Sequence, residues 1–208
     1  MNFEYYCKKI DDIKLKAPIE SGVEILVYML LDEIIENHDL SLVAIDSMQR
    51  KKRFWSEGGY SDLAVVTPDF RFENNAGECK GVIETKYISE NLSNHMPQII
   101  GQLLTFKNVL VTNGIDWRFY SIEKRPGDQD ENEINVEGMR EKRKEYNQKI
   151  TEREAIKEKK DINNEINSII EEMSSMIKPV WEVNLKENDT MEQQKFIELI
   201  THLYQDWI

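Results

Sequence analysis

Two short apolar runs separated by a turn-rich segment constrain the fold of this chain more than any other feature. The runs are DLAVVT (62–67) and GVIETKY (81–87), and the segment between them is rich in Pro, Asn and Gly. β-branched runs favour strands, whereas Pro, Asn and Gly favour turns. The pattern therefore predicts an antiparallel β-hairpin.

The second run carries two charges, and they need an explanation. A strand alternates its side chains between two faces, so Glu84 and Lys86 point to the same side. Asp62 begins the first run and Glu84 lies near the end of the second. Antiparallel pairing therefore brings Asp62, Glu84 and Lys86 together at one end of the sheet. The alternative interpretation is an ion pair on a solvated strand face.

This grouping of charges suits metal-assisted chemistry. Two adjacent carboxylates repel each other unless a cation lies between them, and their hard oxygen atoms suit Mg²⁺ or Mn²⁺. A metal ion there can lower the pKa of water and neutralise charge on a phosphoryl group. A lysine on the same face can orient the attacking water and stabilise developing negative charge.

The remaining segments alternate between helical and strand patterns. The predicted elements are a helix over 18–37, a strand over 42–48, a helix over 97–108, strands over 109–114 and 116–124, a strand over 180–185 and a closing helix to residue 208. This order predicts a single α/β domain over 1–208, with a central mixed β-sheet flanked by helices.

A helical insertion interrupts this domain. Residues 139–178 contain neither Gly nor Pro, and their Ile and Met residues keep helical spacing. We expect a helical hairpin over 138–179, after which 180–208 returns to the domain as a strand and a helix. Because the apolar stripe needs burial, the pattern favours a homodimer, or contact with a partner protein, through 139–178. A charged arm that clamps DNA is the alternative.

The net charge and the charge distribution point in opposite directions on nucleic-acid binding. The formal net charge of −12 argues against a simple electrostatic nucleic-acid binder. A basic run nevertheless precedes the Asp62 strand and is a candidate for contacting phosphates: Arg50, Lys51, Lys52 and Arg53. A solvated loop is the alternative.

Composition also sets expectations about the compartment. No apolar run reaches the roughly 18 residues that a membrane span needs, and the amino end has no uninterrupted apolar core of the kind found in signal peptides. Cys7 and Cys79 form neither a disulfide framework nor a metal spacing. We therefore expect a cytoplasmic protein with reduced thiols and no membrane partner.

The hairpin motif resembles a known family. The segments SDLAVV and GVIETK resemble the metal-binding hairpin of the PD-(D/E)XK nuclease superfamily. The stretches IESGVEILVYMLLDEI, QLLTF and VLVTNGIDWRFY extend the resemblance over 18–122, to the amino-terminal nuclease domain of type I restriction endonuclease R subunits. The resemblance implies a restriction-endonuclease-like fold and a Mg²⁺-dependent endonuclease in a restriction or defence setting, with DNA as the favoured substrate.

The resemblance also assigns roles to residues of this chain. Asp62 and Glu84 correspond to the metal ligands, and Lys86 to the catalytic lysine. Glu20 corresponds to the helix glutamate that completes the metal shell or holds a metal-bound water. Glu24, one helical turn later, is the alternative, because residues four apart share a helix face.

Other positions match the family less closely. Gln102 corresponds to the family glutamine, with Gln98 as the alternative, and Phe106 stands where tyrosine is usual. Pro68 and Asp69 spell the superfamily's literal PD, but they fall near the hairpin tip, so we expect Asp69 to shape the turn. The chain has no G-x-x-x-x-G-K-[ST] phosphate-binding loop, so we do not expect it to carry the ATP-driven motor of type I restriction enzymes. The alternative functions are an RNA endonuclease, a non-catalytic binding or assembly module, and an acidic nuclease inhibitor.

Overall fold

The computed structural model describes residues 1–16, 18–35, 38–45, 52–71, 73–74, 76–123, 134–155 and 159–205. The helices are α1 (Phe3–Lys16), α2 (Glu20–Ile35), α3 (Met96–Phe106), α4 (Val136–Ala155), α5 (Lys160–Met176) and α6 (Gln193–Gln205). The strands are β1 (Ser41–Ala44), β2 (Trp55–Ser56), β3 (Gly59–Tyr60), β4 (Leu63–Val66), β5 (Cys79–Thr85), β6 (Asn108–Thr112), β7 (Asp116–Ser121), β8 (Trp181–Asn184), β9 (Lys186–Glu187) and β10 (Thr190–Met191).

Within the described residues, six strands form a central mixed sheet in the order β1-β4-β5-β6-β7-β8. Neighbouring strands are antiparallel except for β5 and β6, which are parallel and are connected through α3. The predicted hairpin is confirmed, because β4 pairs antiparallel with β5 and sets Leu63 opposite Ile83. The same register brings Asp62 beside Glu84, and the Asp62 amide donates to the Ile83 carbonyl at 3.1 Å.

Helices cover both faces of the sheet. One apolar core joins one face to α1, α2 and α6, and a second joins the other face to α3, α4 and α5. Alternate residues of β5 divide between them, with Ile83 in the first core and Val82 in the second. Because a sheet covered on both sides has no solvated face, the run GVIETK is buried at every position.

The helical insertion packs onto the domain instead of projecting from it. The apolar stripe of α5 is buried at Ile162, Ile166, Ile169 and Met173. Ile169 and Met173 belong to the second core, together with residues of α3 and α4. Because the stripe is covered within one chain, its burial does not require a partner, and self-association through 139–178 stays a prediction. Arg143 of α4 stabilises the packing of the insertion on the domain. It donates to the carbonyl of Pro97 in α3 and to the carbonyl of Glu57 between β2 and β3.

The amino end holds a helix that the sequence patterns left unpredicted. Helix α1 buries Tyr6, whose hydroxyl donates to the Gly114 carbonyl at 2.6 Å. The strand predicted over 42–48 is present as β1, and its last residues lie outside the described part of the chain. Cys7 and Cys79 are free thiols. Across the described residues, none of the helices has both the length and the apolar character that crossing a membrane requires.

Candidate active site

Asp62 is held at the start of β4 by the residue that separates Glu84 from Lys86. Its Oδ2 atom accepts hydrogen bonds from the Thr85 amide at 2.6 Å and from the Thr85 hydroxyl at 2.7 Å. Thr85 is fully buried. The prediction that Asp62 lies beside Glu84 is confirmed, and the threonine between the two charges is the residue that fixes its carboxylate.

Glu84 lies at the centre of the cluster, with a residue exposure of 3%. Its Oε1 atom accepts a hydrogen bond from Lys86 Nζ at 2.5 Å, and its Oε2 atom accepts one from Gln102 Nε2 at 2.6 Å. Lys86 directly follows the same strand, and Gln102 belongs to α3. The two charges of GVIETK therefore form a buried pair, which excludes the solvated strand face as their explanation.

Glu20 completes the contacts of Lys86. It lies in the first turn of α2, and its Oε1 atom is 3.3 Å from Lys86 Nζ. The Glu20 side chain is 38% exposed, so the cluster opens to solvent on this side. The structure thus places Glu20, in the first turn of α2, against the lysine.

Burial and crowding shift the ionisation of the three central groups. Burial, reinforced by the charge of Asp62, raises the pKa of Glu84 to about 7, although Lys86 and Gln102 favour its carboxylate. Burial also raises the pKa of Asp62, against the hydrogen bonds from Thr85. Burial alone would lower the pKa of Lys86, but the carboxylates of Glu84, Glu20 and Asp62 outweigh it and raise that pKa. Lys86 is therefore a cation at neutral pH.

The donor set fits a divalent cation held by two carboxylates. A carboxylate has about four acceptor positions. Hydrogen bonds occupy one position on each oxygen of Glu84 and two on the Oδ2 atom of Asp62. Mg²⁺ is commonly held by one or two carboxylates together with water. No group of three or more His, Cys, Asp and Glu side chains within the described residues is arranged for a metal. Glu20 contacts Lys86 in this structure, and its part in a metal shell stays a prediction.

Gln102 is fully buried. The backbone of the turn at Gly58 packs closely against the helix that carries Gln102. A Cβ atom on Gly101 would lie 2.3 Å from the Gly58 nitrogen, and one on Gly58 would lie 3.0 Å from Gln102 Cγ. The turn between β2 and β3 therefore rests on α3, which requires glycine at both positions. The Gln102 Oε1 atom has no hydrogen-bond partner among the described residues. Gln98, the alternative, is half-buried one turn earlier.

The basic run is described only in part. Arg50, Lys51 and the side chain of Lys52 lie outside the described structure. Arg53 donates to the carbonyls of Asn74 and Ala76, each at 3.1 Å, and its guanidinium lies 4.2 Å from the centre of the Phe70 ring. These contacts secure the turn between β4 and β5. Contact of this run with nucleic acid stays a prediction.

The sequence also singled out Asp69 and Phe106, and neither adds a functional group to the cluster. Asp69 is exposed near the hairpin tip, where its Oδ1 atom accepts a hydrogen bond from the Thr67 hydroxyl at 2.6 Å, so the expected turn role is confirmed. Phe106 is buried in the second core. It therefore brings no hydroxyl group to the cluster.

Comparison with known proteins yields no match for this chain. No family model matches the sequence, and no curated protein or solved structure matches it either. The chemistry of the cluster is therefore judged from its own geometry: two adjacent carboxylates, a buried lysine between three acidic groups, and a buried amide. This geometry combines carboxylate oxygens with a fixed cation at a point that opens to solvent.

Proposed function

We propose that this protein is a metal-dependent endonuclease of the PD-(D/E)XK type, with a restriction-endonuclease-like fold, that hydrolyses phosphodiester bonds, with DNA as the favoured substrate. The observation that carries the proposal is the contact of Lys86 with Glu84 inside the sheet, beside Asp62. An ion pair kept for stability alone is a weak reason to bury these charges, because desolvation offsets much of the attraction.

The residues divide the chemistry between them. Asp62 and Glu84 would hold Mg²⁺ or Mn²⁺, which when bound lowers the pKa of water and neutralises charge on the phosphate. Lys86, held in its cationic form by the acidic groups around it, stabilises negative charge that develops on the phosphate. Glu20 orients the lysine at the solvent side, and Gln102 orients the carboxylate of Glu84.

A cleavage assay with a matched pair of lysine variants tests the proposal. Plasmid, linear duplex, single-stranded DNA and RNA are incubated with Mg²⁺ or Mn²⁺. Lys86→Met should lower the cutting rate by about 100-fold or more, as loss of one charge-stabilising donor does elsewhere. Lys80→Met is the control, because Lys80 lies on the same strand with its side chain 44% exposed. Equal cutting by both variants would contradict the role of Lys86.

Metal binding can be measured without cleavage. Thermal unfolding of the wild type should shift upward with Mn²⁺, by an amount equivalent to about 2.7 kcal/mol at a hundredfold excess over the dissociation constant. Asp62→Asn should abolish this shift, whereas Asp69→Asn at the hairpin tip should retain it. A shift that survives Asp62→Asn would refute the assignment of the metal ligands.

One observation favours a second candidate, a non-catalytic binding module. Both oxygens of Glu84 are already hydrogen-bonded within the chain. In such a module the cluster would serve the fold alone, and the protein would be stable but neither stabilised by Mn²⁺ nor able to cut any of the four substrates.

A further inference from the structure

A hollow of about 350 Å³ lies directly beside the candidate active site. Its walls include Ile19 and Tyr87, which are the chain neighbours of Glu20 and Lys86. Because Glu20 and Lys86 contact each other, these two neighbours bring the hollow to the solvent-facing side of the cluster. Its size falls within the range of about 300 to 1,000 Å³ that small-ligand sites occupy.

The lining of this hollow is mainly apolar and includes an accessible aromatic ring. Tyr87 is 43% exposed, and Ile13, Ile88 and Ile115 contribute further apolar walls. A hydrogen bond of 2.9 Å from the Glu90 amide to the Tyr87 carbonyl closes a tight turn at this point. The backbone that carries the ring is therefore fixed before anything binds.

Charge distinguishes this hollow from its neighbour. Lys14 and Lys186 lie at its edge, and Lys186 has a loose ion pair of 3.6 Å with Asp189. A second, more open hollow of about 500 Å³ shares Ile88, Ile115 and Lys186 with the first and is lined by three acidic side chains that the first lacks: Glu90, Asp116 and Asp189. A polyanion that leaves the site is repelled from the acidic side and attracted to the side with Lys14.

We propose that the hollow beside Tyr87 binds an unpaired nucleotide of the strand whose phosphate lies at Lys86. The base packs against Tyr87 and Ile19, and a flanking phosphate lies at Lys14. This inference rests on the proposed function and deepens it, because it assigns the substrate to single-stranded or locally opened nucleic acid.

The requirement for an unpaired base follows from the shape of the hollow. A ring that lies in a recess can stack on a base only if that base has left its own stack, as it does in single strands and loops. Stacking of this kind tolerates every base, so we expect little sequence preference at this position. A paired duplex presents its phosphates but no free base face.

Binding without cleavage tests the inference independently of catalysis. The full chain is titrated in EDTA against a short fluorescein-labelled oligothymidylate, the matched oligouridylate and a duplex of the same length. Tyr87→Ala should weaken single-strand binding about 5- to 100-fold, from the usual contribution of base stacking. Tyr87→Phe keeps the ring and should stay within about twofold. Tyr5→Ala is the matched control, because Tyr5 on α1 is 41% exposed.

Each outcome decides the inference. A loss confined to Tyr87→Ala and to the single strands supports it, and the two single-stranded probes then show whether the sugar matters. Tighter binding of the duplex than of the single strands overturns it, as does equal affinity of Tyr87→Ala and wild type. Binding that depends on Tyr87 without cutting in any metal would keep the nucleotide site and refute the nuclease. If the protein cuts nucleic acid but Tyr87→Ala does not weaken its single-strand binding, the nuclease stands and the nucleotide site is refuted.

Discussion

Burial of Glu84 should make the stability of the metal-free protein depend on pH. Burial, and then the charge of Asp62, raises the pKa of this carboxyl group from 4.5 to about 7. The native state therefore keeps a proton that the unfolded chain releases at lower pH. The stabilising contribution of such a group is complete below its unfolded pKa and is lost as the pH rises through its folded pKa.

The size of the effect follows from the two pKa values. Each pH unit between them changes the free energy of unfolding by about 1.4 kcal/mol. From about pH 5 to about pH 8, Glu84 should therefore lower the free energy of unfolding by about 2 to 3 kcal/mol. Glu84→Gln removes the titration but keeps an acceptor for Lys86, and the buried amide of Gln102 can rotate to accept from the new amide.

The measurement is urea unfolding in EDTA at the two pH values. Glu84→Gln should lose about 2 to 3 kcal/mol less stability than the wild type across this range. Asp62, whose pKa is raised in the same direction, supplies part of the dependence that remains. Glu78→Gln removes a 72% exposed charge from the same hairpin and should keep the wild-type dependence. A Glu84→Gln variant with the full wild-type dependence would refute the burial argument.

Urea unfolding also tests three features that support the site. Arg143→Met should cost about 1 to 3 kcal/mol because two backbone carbonyls lose their donor, whereas the exposed Arg140→Met should cost less than about 0.5 kcal/mol; equal costs would contradict the role of Arg143. Gly101→Ala should cost about 1 to 3 kcal/mol because the added methyl group would overlap Gly58, and an unchanged midpoint would show that the turn does not rest on α3. Met173→Ala should cost about 2 to 5 kcal/mol, with a midpoint independent of protein concentration because the stripe is buried within one chain. A concentration-dependent midpoint would support the dimer interface.

The hairpin and its charges could be predicted because they depend on neighbouring residues. Alternation along β5 puts Glu84 and Lys86 on one side, and a turn-rich segment forces β4 to return beside β5. Antiparallel pairing then leaves little freedom in where Asp62 lies. The helix starting near Pro18 and the helix beginning at Met96 follow from apolar spacing in the same way.

Burial and distant contacts could not be predicted in this way. Whether the Glu84 face of the strand is solvated depends on α3, the next α-helix after β5, and on α4 and α5, which come from far along the chain. The same is true of the apolar stripe around Met173, whose spacing requires burial but does not say against what. Helical periodicity therefore predicted a surface for a partner protein, whereas residues of α3 and α4 in the same chain pack against this stripe.

The sequence by itself determined that two carboxylates and a lysine meet at one end of a hairpin, because strand alternation and turn chemistry are local. Tertiary structure alone decided that the meeting place is covered on both faces and that Gln102 and Thr85 hold the carboxylates. It also decided that Tyr87 lies beside an open hollow. Those features depend on the dielectric surroundings and the contacts that helices make across the sheet, and no short segment of sequence encodes them.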